Sequence, residues 1–464
     1  MNVFRPLGST GLQCHWLGFG CYRIAKGNAE HEAALRGYLE RGGNLIDTSA
    51  NYGDGASEEL VGDVLRDFPR EKIILVTKGG YIQGQNMTLA QQHDFPETVQ
   101  YGPGIWHSIH PEFLETQIEL SCGRLKQDFV DVYLLHNPEY FLEDIAHRRE
   151  ITAADHDEFY RRIREAFRFL EAKVAAGRIR WYGVSSNNFV HGASQPSATS
   201  VARCFEQAES LSANHHFRVV QLPLNLYEAG SVLFRGNDGM SALAYCRQHG
   251  LGALANRPLN AFQQNELLRL ADWAEPGTPP PHIDTLREKL EPVREHEQAF
   301  EAWAGEPVRL AAGGTFTQLL LEVVPKLWSL SHWEQVAGRH VIEPMQAWLI
   351  QTQQKFQQEP RWIEWRDRFI ELVNPALREV REYLAARQQP ASDKVRTRLV
   401  EAGYPDSGRT LSRMALDVLG GLDGLSCVLV GMRRREYLDD AFGAQQRDDV
   451  DSAALLARFN SPNT

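Results

Sequence analysis

Asp47 closes the short apolar run "NLID", and Tyr52 follows in the same stretch, "NLIDTSANYGDGASEELVG" (44–62). Lys78 stands near the end of a second apolar run, "KIILVTKGG" (72–80), and His136 ends a third, "FVDVYLLH" (129–136). Singly, each has a plain structural use. Asp47 suits a turn, Tyr52 a half-buried aromatic, Lys78 a snorkelling stem, and a lone histidine after a strand a hydrogen-bonded loop. Their shared placement at the ends of apolar runs suggests chemistry instead. A tyrosine with its ordinary pKa near 10 is a reluctant acid, and a neighbouring ammonium favours its ionised form. Lys78 is the candidate cation, Asp47 the group that holds it, and His136 a partner for the substrate oxygen or for the proton transfer. A tyrosine that protonates a carbonyl oxygen needs a hydride arriving at the carbon. No side chain donates hydride, so these four residues together imply a cofactor.

The elements that would position them alternate along the chain. Apolar runs at 16–23, 44–50, 72–80, 129–136, 179–186, 217–226, 251–259 and 425–432 are separated by amphipathic segments such as "SEELVGDVLRDF" and "PEFLETQIELSCGRLK". The runs are continuously apolar rather than alternating, as in strands buried on both faces. Eight such repeats predict an α/β fold, a closed (β/α)8 TIM barrel. An open doubly wound sheet would announce itself with GxGxxG after the first strand, and both "GFGCYR" and "GDGASE" lack the third glycine.

Three insertions follow strands: a polar, Gly/Gln-rich loop at 81–109, a shorter one at 139–155, and a long one at 260–408. The chain thus divides into a barrel, 1–259 with 409–464, and a mainly helical subdomain expected over its C-terminal face, 260–408. That insertion carries Trp273, Trp303, Trp328, Trp333, Trp348, Trp362 and Trp365, far more aromatic than a disordered linker. Trp362, Trp365, Phe369, Leu372 and Val373 recur at helical spacing. A subdomain over the barrel mouth and a decoration that adds stability or an oligomer contact are both open readings of it.

The net charge of −11 argues against a nucleic-acid partner. No run of about 18 apolar residues predicts a membrane span, and no apolar core near the N-terminus predicts a secretory signal. Six scattered cysteines without a CxxC pair, and acidic and histidine residues without HExxH spacing, predict neither a redox motif nor a metal site. A reducing cytoplasm is the expected compartment. Nothing in the sequence speaks to oligomeric state.

"NLIDTSANYGDGASEELVG", "ILVTKGG", "CGRLKQDFVDVYLLHNPE", "GRIRWYGVSSNNF" and "VVQLPLNLYE", in this order, resemble segments of the aldo-keto reductase superfamily, over residues 5–259 and 409–445. The resemblance implies a catalytic tetrad of Asp47, Tyr52, Lys78 and His136. It implies Ser185 or Ser186, with Asn187 and Gln221, as holders of a nicotinamide carboxamide, and Gly20, Cys21 and Tyr22 beside the cofactor. "VLVGMRRREYLDDAF" resembles the last phosphate-binding loop. Gly431, Met432, Arg433, Arg434, Arg435, Tyr437 and Asp440 would then meet the cofactor, and an arginine gripping a 2′-phosphate favours NADP(H) over NAD(H). At the seventh strand, Asn256, Arg257, Pro258 and Leu259 ("NRPL") stand where many members have an aromatic, Ser, Pro and Leu. Asn256 cannot stack on a nicotinamide, which leaves two readings open: the large insertion covers the ring, or the cofactor sits differently. The long insertion also replaces the loop that folds over the pyrophosphate, and it would gate cofactor release.

The expected activity is NADP(H)-dependent hydride transfer between nicotinamide and a small carbonyl/alcohol substrate (an aldehyde, ketone or sugar), with Tyr52 as general acid or base. Two other readings stand beside it: a cofactor-binding accessory or regulatory subunit that docks through the insertion, and a non-redox barrel enzyme using Lys78 as base or Schiff-base amine. Trp106, His107 and His110 are the candidates to line the substrate mouth, and Met87 and Phe95 belong to the same loop.

Overall fold

The computed structural model describes residues 3–461 apart from 193, 264–265, 311–312, 328, 406–407 and 447–448. By contacts it divides into two units, residues 1–270 with 398–464, and residues 271–397.

The first unit is a closed barrel of eight parallel strands: β1 (Leu17–Gly20), β2 (Leu45–Asp47), β3 (Ile74–Gly79), β4 (Val130–His136), β5 (Ile179–Ser185), β6 (Phe217–Pro223), β7 (Gly252–Asn256) and β8 (Cys427–Val430). The helices between them are α1 (Ala29–Glu40), α2 (Ala56–Leu65), α3 (Pro111–Leu125), α4 (Ala153–Ala175), α5 (Val201–Glu209), α6 (Ala242–Gln248) and α7 (Leu411–Gly420), and α8 (Arg435–Phe442) follows β8. Local chemistry starts most of them. The side chains of Asn28, Thr152, Ser200, Ser241 and Thr410 accept first-turn N–H groups of α1, α4, α5, α6 and α7, which stabilises each helix start by about 1 kcal/mol.

Strand periodicity fixes what lies inside. Leu45, Ile74, Val76, Val132, Leu134, Val219, Leu254, Cys427 and Leu429 form one buried cluster, joined by Leu7 and Cys14 from the N-terminal segment. Side chains two residues apart share a face. Asp47 therefore stands one step above Leu45, Lys78 above Val76, His136 above Leu134, Gln221 above Val219 and Asn256 above Leu254. Each is the last inward residue of its strand except Gln221, which Pro223 follows on the same face. Register aligns them further, with His136 opposite Ser185 and Ser185 opposite Gln221. Burying one large apolar side chain contributes about 1.5–3 kcal/mol. The apolar layers beneath thus offset a polar top layer that costs several kcal/mol per desolvated ion.

Two connections differ from expectation. Residues 81–109, read as a polar loop, hold a three-stranded antiparallel sheet (Tyr81–Ile82, Val99–Gly102, Ile105–His107) and a helix (Gln85–Gln92). Ile82, Ala90, Phe95 and Phe113 supply a small core for it, packed by Met87, Leu89 and Trp106. Residues 260–269, placed in the insertion by sequence, form a hairpin of Asn260–Gln263 with Glu266–Arg269, closed by Leu270 N–H donating to Leu259 O at 2.9 Å. At the other end Arg398 donates to Phe459 O at 2.8 Å. By contacts the second unit runs from 271 to 397, where the sequence suggested 260 to 408.

That second unit contains the helices Ile283–Lys289, Glu291–Ala304, Phe316–Val323, Leu330–Ala337 and Glu343–Phe356, and most of Pro360–Glu401. Its core is aromatic. Trp365 stacks on Phe369 (4.8 Å), on Trp362 (5.7 Å) and on His296 (5.0 Å), with Phe300 beside it (4.9 Å). The buried indole N–H groups have partners: Trp362 donates to Gln353 and Trp365 to the His296 carbonyl. Trp328 lies outside the described residues. No described helix is long and apolar enough to cross a membrane.

Candidate active site

Lys78 is the centre of the polar layer. Its side chain is 0% exposed, and its ammonium donates to Asp47 Oδ2 (2.8 Å), the Thr48 carbonyl (2.9 Å) and the Tyr52 hydroxyl (3.1 Å). An ammonium has three protons, so all three are placed. Burial alone would depress this amine, but Asp47 and Tyr52 outweigh burial and hold it above its ordinary value. The second Asp47 oxygen accepts Gln221 Nε2 at 2.7 Å, and Gln221 Oε1 accepts Ser185 Oγ at 3.0 Å. One chain of bonds thus runs from β5 through β6 and β2 to β3 and on to Tyr52.

Tyr52 opens a short 3-10 turn, Tyr52–Gly55, directly before α2. Its half-buried ring lies edge-on to Tyr22 (5.2 Å) and His136 (6.0 Å). The expectation that Lys78 lowers the Tyr52 pKa is met only in part. Burial is the larger influence and raises it, with Lys78 opposing. The phenol therefore holds its proton at neutral pH. Because its oxygen accepts from Lys78, that proton is free for another acceptor. His136 is pushed well below its ordinary value by burial, then by Lys78 and His107, and is neutral.

Several groups that sequence reasoning missed surround His136. Ser49 Oγ lies 3.0 Å from its Nδ1. Tyr81 packs edge-on against its ring at 4.7 Å, and the Tyr81 hydroxyl accepts Asn137 Nδ2 at 2.7 Å. Ser49 and Asn137 sit in irregular connections, and Tyr81 opens a two-residue strand too short for periodicity to mark it. Glu139 is a further one: it is 1% exposed, its Oε1 accepts the Asn187 N–H at 2.7 Å, and its Oε2 is buried without a partner among the described residues. Burial raises its pKa to about 8.

The loop residues expected at the mouth are placed otherwise. His107 is 2% exposed, and its Nε2 lies 2.7 Å from the His136 carbonyl, with burial pushing it down to about 4. A neutral ring beside a carbonyl oxygen donates to it, so His107 supports the His136 backbone. The contact leaves space only for glycine at position 80, where a Cβ would meet His107 Nε2 at 2.6 Å and His136 O at 2.8 Å. Trp106, Met87 and Phe95 belong to the small core of residues 81–109, and His110 caps α3.

The expected cofactor contacts fall into two groups. Gly20 ends β1, Cys21 is fully buried beside it, and Tyr22 is 66% exposed. Gln221 keeps one N–H and one lone pair beyond its two bonds, and the Asn187 side chain has no hydrogen-bond partner among the described residues. Ser186 instead caps the turn at Asn188, which donates to it at 3.1 Å. At the end of β7, Asn256 Oδ1 and Arg257 Nε are buried without partners among the described residues. Arg257 adopts φ 53°, with its carbonyl held by Asn225 Nδ2 (3.2 Å) and its guanidinium by Glu228 (2.6 Å). Pro258 is buried and Leu259 half-buried.

After β8, Gly431 is exposed and Met432 buried. The first turn of α8 has no side-chain cap, which leaves N–H groups for an anion. Arg434 pairs with Glu30 at 3.3 Å and lies over Tyr437 (5.8 Å), whose ring Arg269 also approaches (5.9 Å). Arg433 is half-buried and Arg435 exposed. Asp440 is committed elsewhere. Its carboxylate accepts from Thr410 (2.8 Å) and Ser412 and pairs with Arg413 (3.0 Å), tying α8 to the start of α7.

Eight parallel strands carrying a hydrogen-bonded Asp–Lys–Tyr chain and a neutral histidine at their C-terminal ends define a barrel protein with a buried polar cluster at that end. The chain belongs to the aldo/keto reductase family, whose model matches residues 16–270. It is similar to 6-dehydroglucose reductase of Novosphingobium aromaticivorans, at 29% identity over 195 residues (40% of this chain, 51% of that protein). It is also similar to NADH-specific methylglyoxal reductase of Escherichia coli, at 29% over 139 residues (28% and 40%). The chain spans about half the length, or less, of these curated relatives. Among solved structures, an aldo/keto reductase from Klebsiella pneumoniae in complex with NADP and acetate aligns at 23% identity and TM-score 0.35, over 56% of this chain and 69% of that one.

Proposed function

We propose that the protein is a NADP(H)-dependent oxidoreductase acting on a carbonyl/alcohol pair, with Tyr52 as general acid in reduction and general base in oxidation. The observation that carries it is the Lys78 ammonium, fixed by Asp47 and donating to the Tyr52 hydroxyl at 3.1 Å. Family membership and relatives named as reductases support the same reading.

A bound nicotinamide supplies the hydride, chemistry no side chain here offers. The residues fit such a group. The spare N–H and lone pair of Gln221, the Asn187 side chain and the orphaned Asn256 Oδ1 offer both hydrogen-bond senses to a carboxamide. The uncapped first turn of α8, with Arg433, Arg434 and Arg435 beside it, suits phosphates and favours NADP(H). Asp440 is not among these ligands in our reading, because its carboxylate is already bonded.

Tyr52 gives its proton to the carbonyl oxygen, and the ammonium next to it stabilises the phenolate left behind. Asp47 keeps that ammonium in place. His136, neutral and edge-on to Tyr52, contacts the same substrate. The saturation of all three Lys78 protons speaks against the Schiff-base alternative, since a nucleophilic amine needs a free lone pair.

The test is turnover by the full chain. Reduced nicotinamide absorbance should fall with members of an aldehyde and sugar panel. In Tyr52→Phe that rate should drop by about 10²–10⁴ while NADPH still binds in equilibrium titration. Binding of NADPH without turnover of any substrate would favour the accessory-subunit reading, and no binding at all would remove both.

A further inference from the structure

Tyr52 is followed by three residues in succession in the left-handed region: Gly53 (φ 57°), Asp54 (φ 54°) and Gly55 (φ 92°). Glycine takes that conformation freely. Asp54 does not, and a left-handed residue with a Cβ persists where its surroundings hold it. The bonds that hold Asp54 run to another part of the chain. Its two carboxylate oxygens accept the Gln85 N–H, at 3.0 and 3.2 Å. Gln85 opens the helix Gln85–Gln92, whose own N-cap residue, Gly84, has no side chain to offer. Asp54 thus caps that helix from outside, and a carboxylate at a helix start also meets the dipole favourably. The fit is close, since a Cβ on Gly84 would meet Asp54 Oδ1 at 2.2 Å. On the other side of Tyr52, Asn51 Nδ2 donates to Gln83 Oε1 at 3.4 Å.

The helix that receives these bonds is itself fixed. Asn86 in its first turn and Gln117 of α3 exchange two amide hydrogen bonds, at 2.9 and 3.0 Å, and both side chains are buried. Arg124, also of α3, lays its stem over Gly55 and donates from Nε to Glu58 at 2.7 Å. The Tyr52 turn therefore has one support beneath it and one at the surface, both rooted in α3. Among the described residues the Tyr52 hydroxyl has a single hydrogen bond, from Lys78. Its position is set by the turn that carries it.

We propose that Asp54 is a positioning residue for Tyr52: by accepting the Gln85 N–H it locks the left-handed turn and keeps the Tyr52 hydroxyl within reach of the Lys78 ammonium. Its consequence for turnover rests on the reductase reading above. Without the bond, the turn relaxes and the phenol leaves its alignment with Lys78. Small displacements of a reacting group far exceed the lost bond in their effect on rate.

Two substitutions at this exposed position separate the bond from the backbone. Asp54→Gly keeps the left-handed turn and removes the acceptor. Asp54→Asn keeps an acceptor and also tolerates the turn. The place of Tyr52 is read without turnover, by ¹⁹F NMR of the full chain labelled with fluorotyrosine, the Tyr52 signal being assigned by its loss in Tyr52→Phe. That signal should move in Asp54→Gly and stand at its wild-type position in Asp54→Asn. With benzaldehyde and NADPH, kcat should fall about 10- to 100-fold in Asp54→Gly while KM changes little, and Asp54→Asn should restore it. A simple loss of folded protein would weaken every signal and displace none. An unmoved Tyr52 signal or a wild-type kcat in Asp54→Gly overturns the assignment. So does an Asp54→Asn as impaired as Asp54→Gly, because the charge and not the bond would then be what matters. A wild type inactive on benzaldehyde counts against the reductase reading alone, and the Tyr52 signal then decides the role of Asp54.

Discussion

The barrel's C-terminal end holds two polar clusters built on opposite terms. Around β2 and β3, all three Lys78 protons and both Asp47 oxygens are used at 2.7–3.1 Å. Around β7, Asn256 Oδ1 and Arg257 Nε are buried with no partner among the described residues, and Arg257 is held at φ 53° by the Asn225 and Glu228 side chains. The first cluster is closed on itself and acts as a unit. The second has spare capacity, the condition expected of groups that await a ligand. Residues that complete each other are costly to remove one at a time, while residues that wait are cheap to remove until the ligand arrives.

The sharpest way to break this contrast is to truncate one cation in each cluster. Lys78→Met leaves Asp47 buried and uncompensated, which should cost about 3–5 kcal/mol of stability. Activity should fall by at least about 10³, because Tyr52 loses the ammonium that stabilises its phenolate. Arg257→Met leaves Glu228 with Asn225 and should cost less than half as much stability. Denaturant titration of both variants reads the difference, and equal losses would show that the β7 cluster is as interdependent as the other.

Glu139 tests whether the closed cluster is closed throughout, since it lies just beyond β4 with one oxygen that has no partner among the described residues. Its carboxyl is raised to about 8 by burial, with Glu143 adding and the Asn187 N–H bond opposing. The sign follows from proton counting. Between the ordinary carboxylate pKa and about 8, the native state keeps a proton that the unfolded state has lost. Glu139 therefore makes the protein less stable as pH rises through that window, by on the order of a few kcal/mol in all. Glu139→Gln keeps the acceptor for the Asn187 N–H but has no charge to desolvate. Its stability relative to wild type should grow between about pH 5.5 and about pH 8.5. A constant difference across that range would mean that the carboxyl titrates normally.

The same contrast explains what the sequence disclosed. Asp47, Lys78 and His136 were legible because strand alternation puts them one step above Leu45, Val76 and Leu134, and because their chemistry is mutual. Tyr52 was legible from its distance to Asp47. The fold was legible from eight apolar runs. Ser49, Tyr81 and Glu139 were not, since each lies in a connection whose path only the closed barrel determines. His107 and Phe95 were read as loop residues of the mouth, because residues 81–109 show no periodicity long enough to reveal a three-stranded sheet with its own core. The hairpin 260–269 escaped for a related reason. Its pairing is local, but its attachment to Leu259 depends on where β7 ends.

The smallest effect is expected at Asn256, and its direction is opposite to the others. A buried acceptor with no partner costs stability, so replacing it with an apolar group of similar size should help. Asn256→Leu is predicted to stabilise the free protein by about 0.5–1 kcal/mol, read as a rise of a few degrees in Tm. If Asn256 Oδ1 meets the carboxamide, the same change should weaken NADPH binding several-fold, because the ligand loses its acceptor. A neutral filler would give the first effect without the second, and a residue with a hidden structural partner would lose stability. Asn256→Leu thus separates a waiting ligand group from an accident of packing, at the one position where the chain departs from the aromatic found in many members of its family.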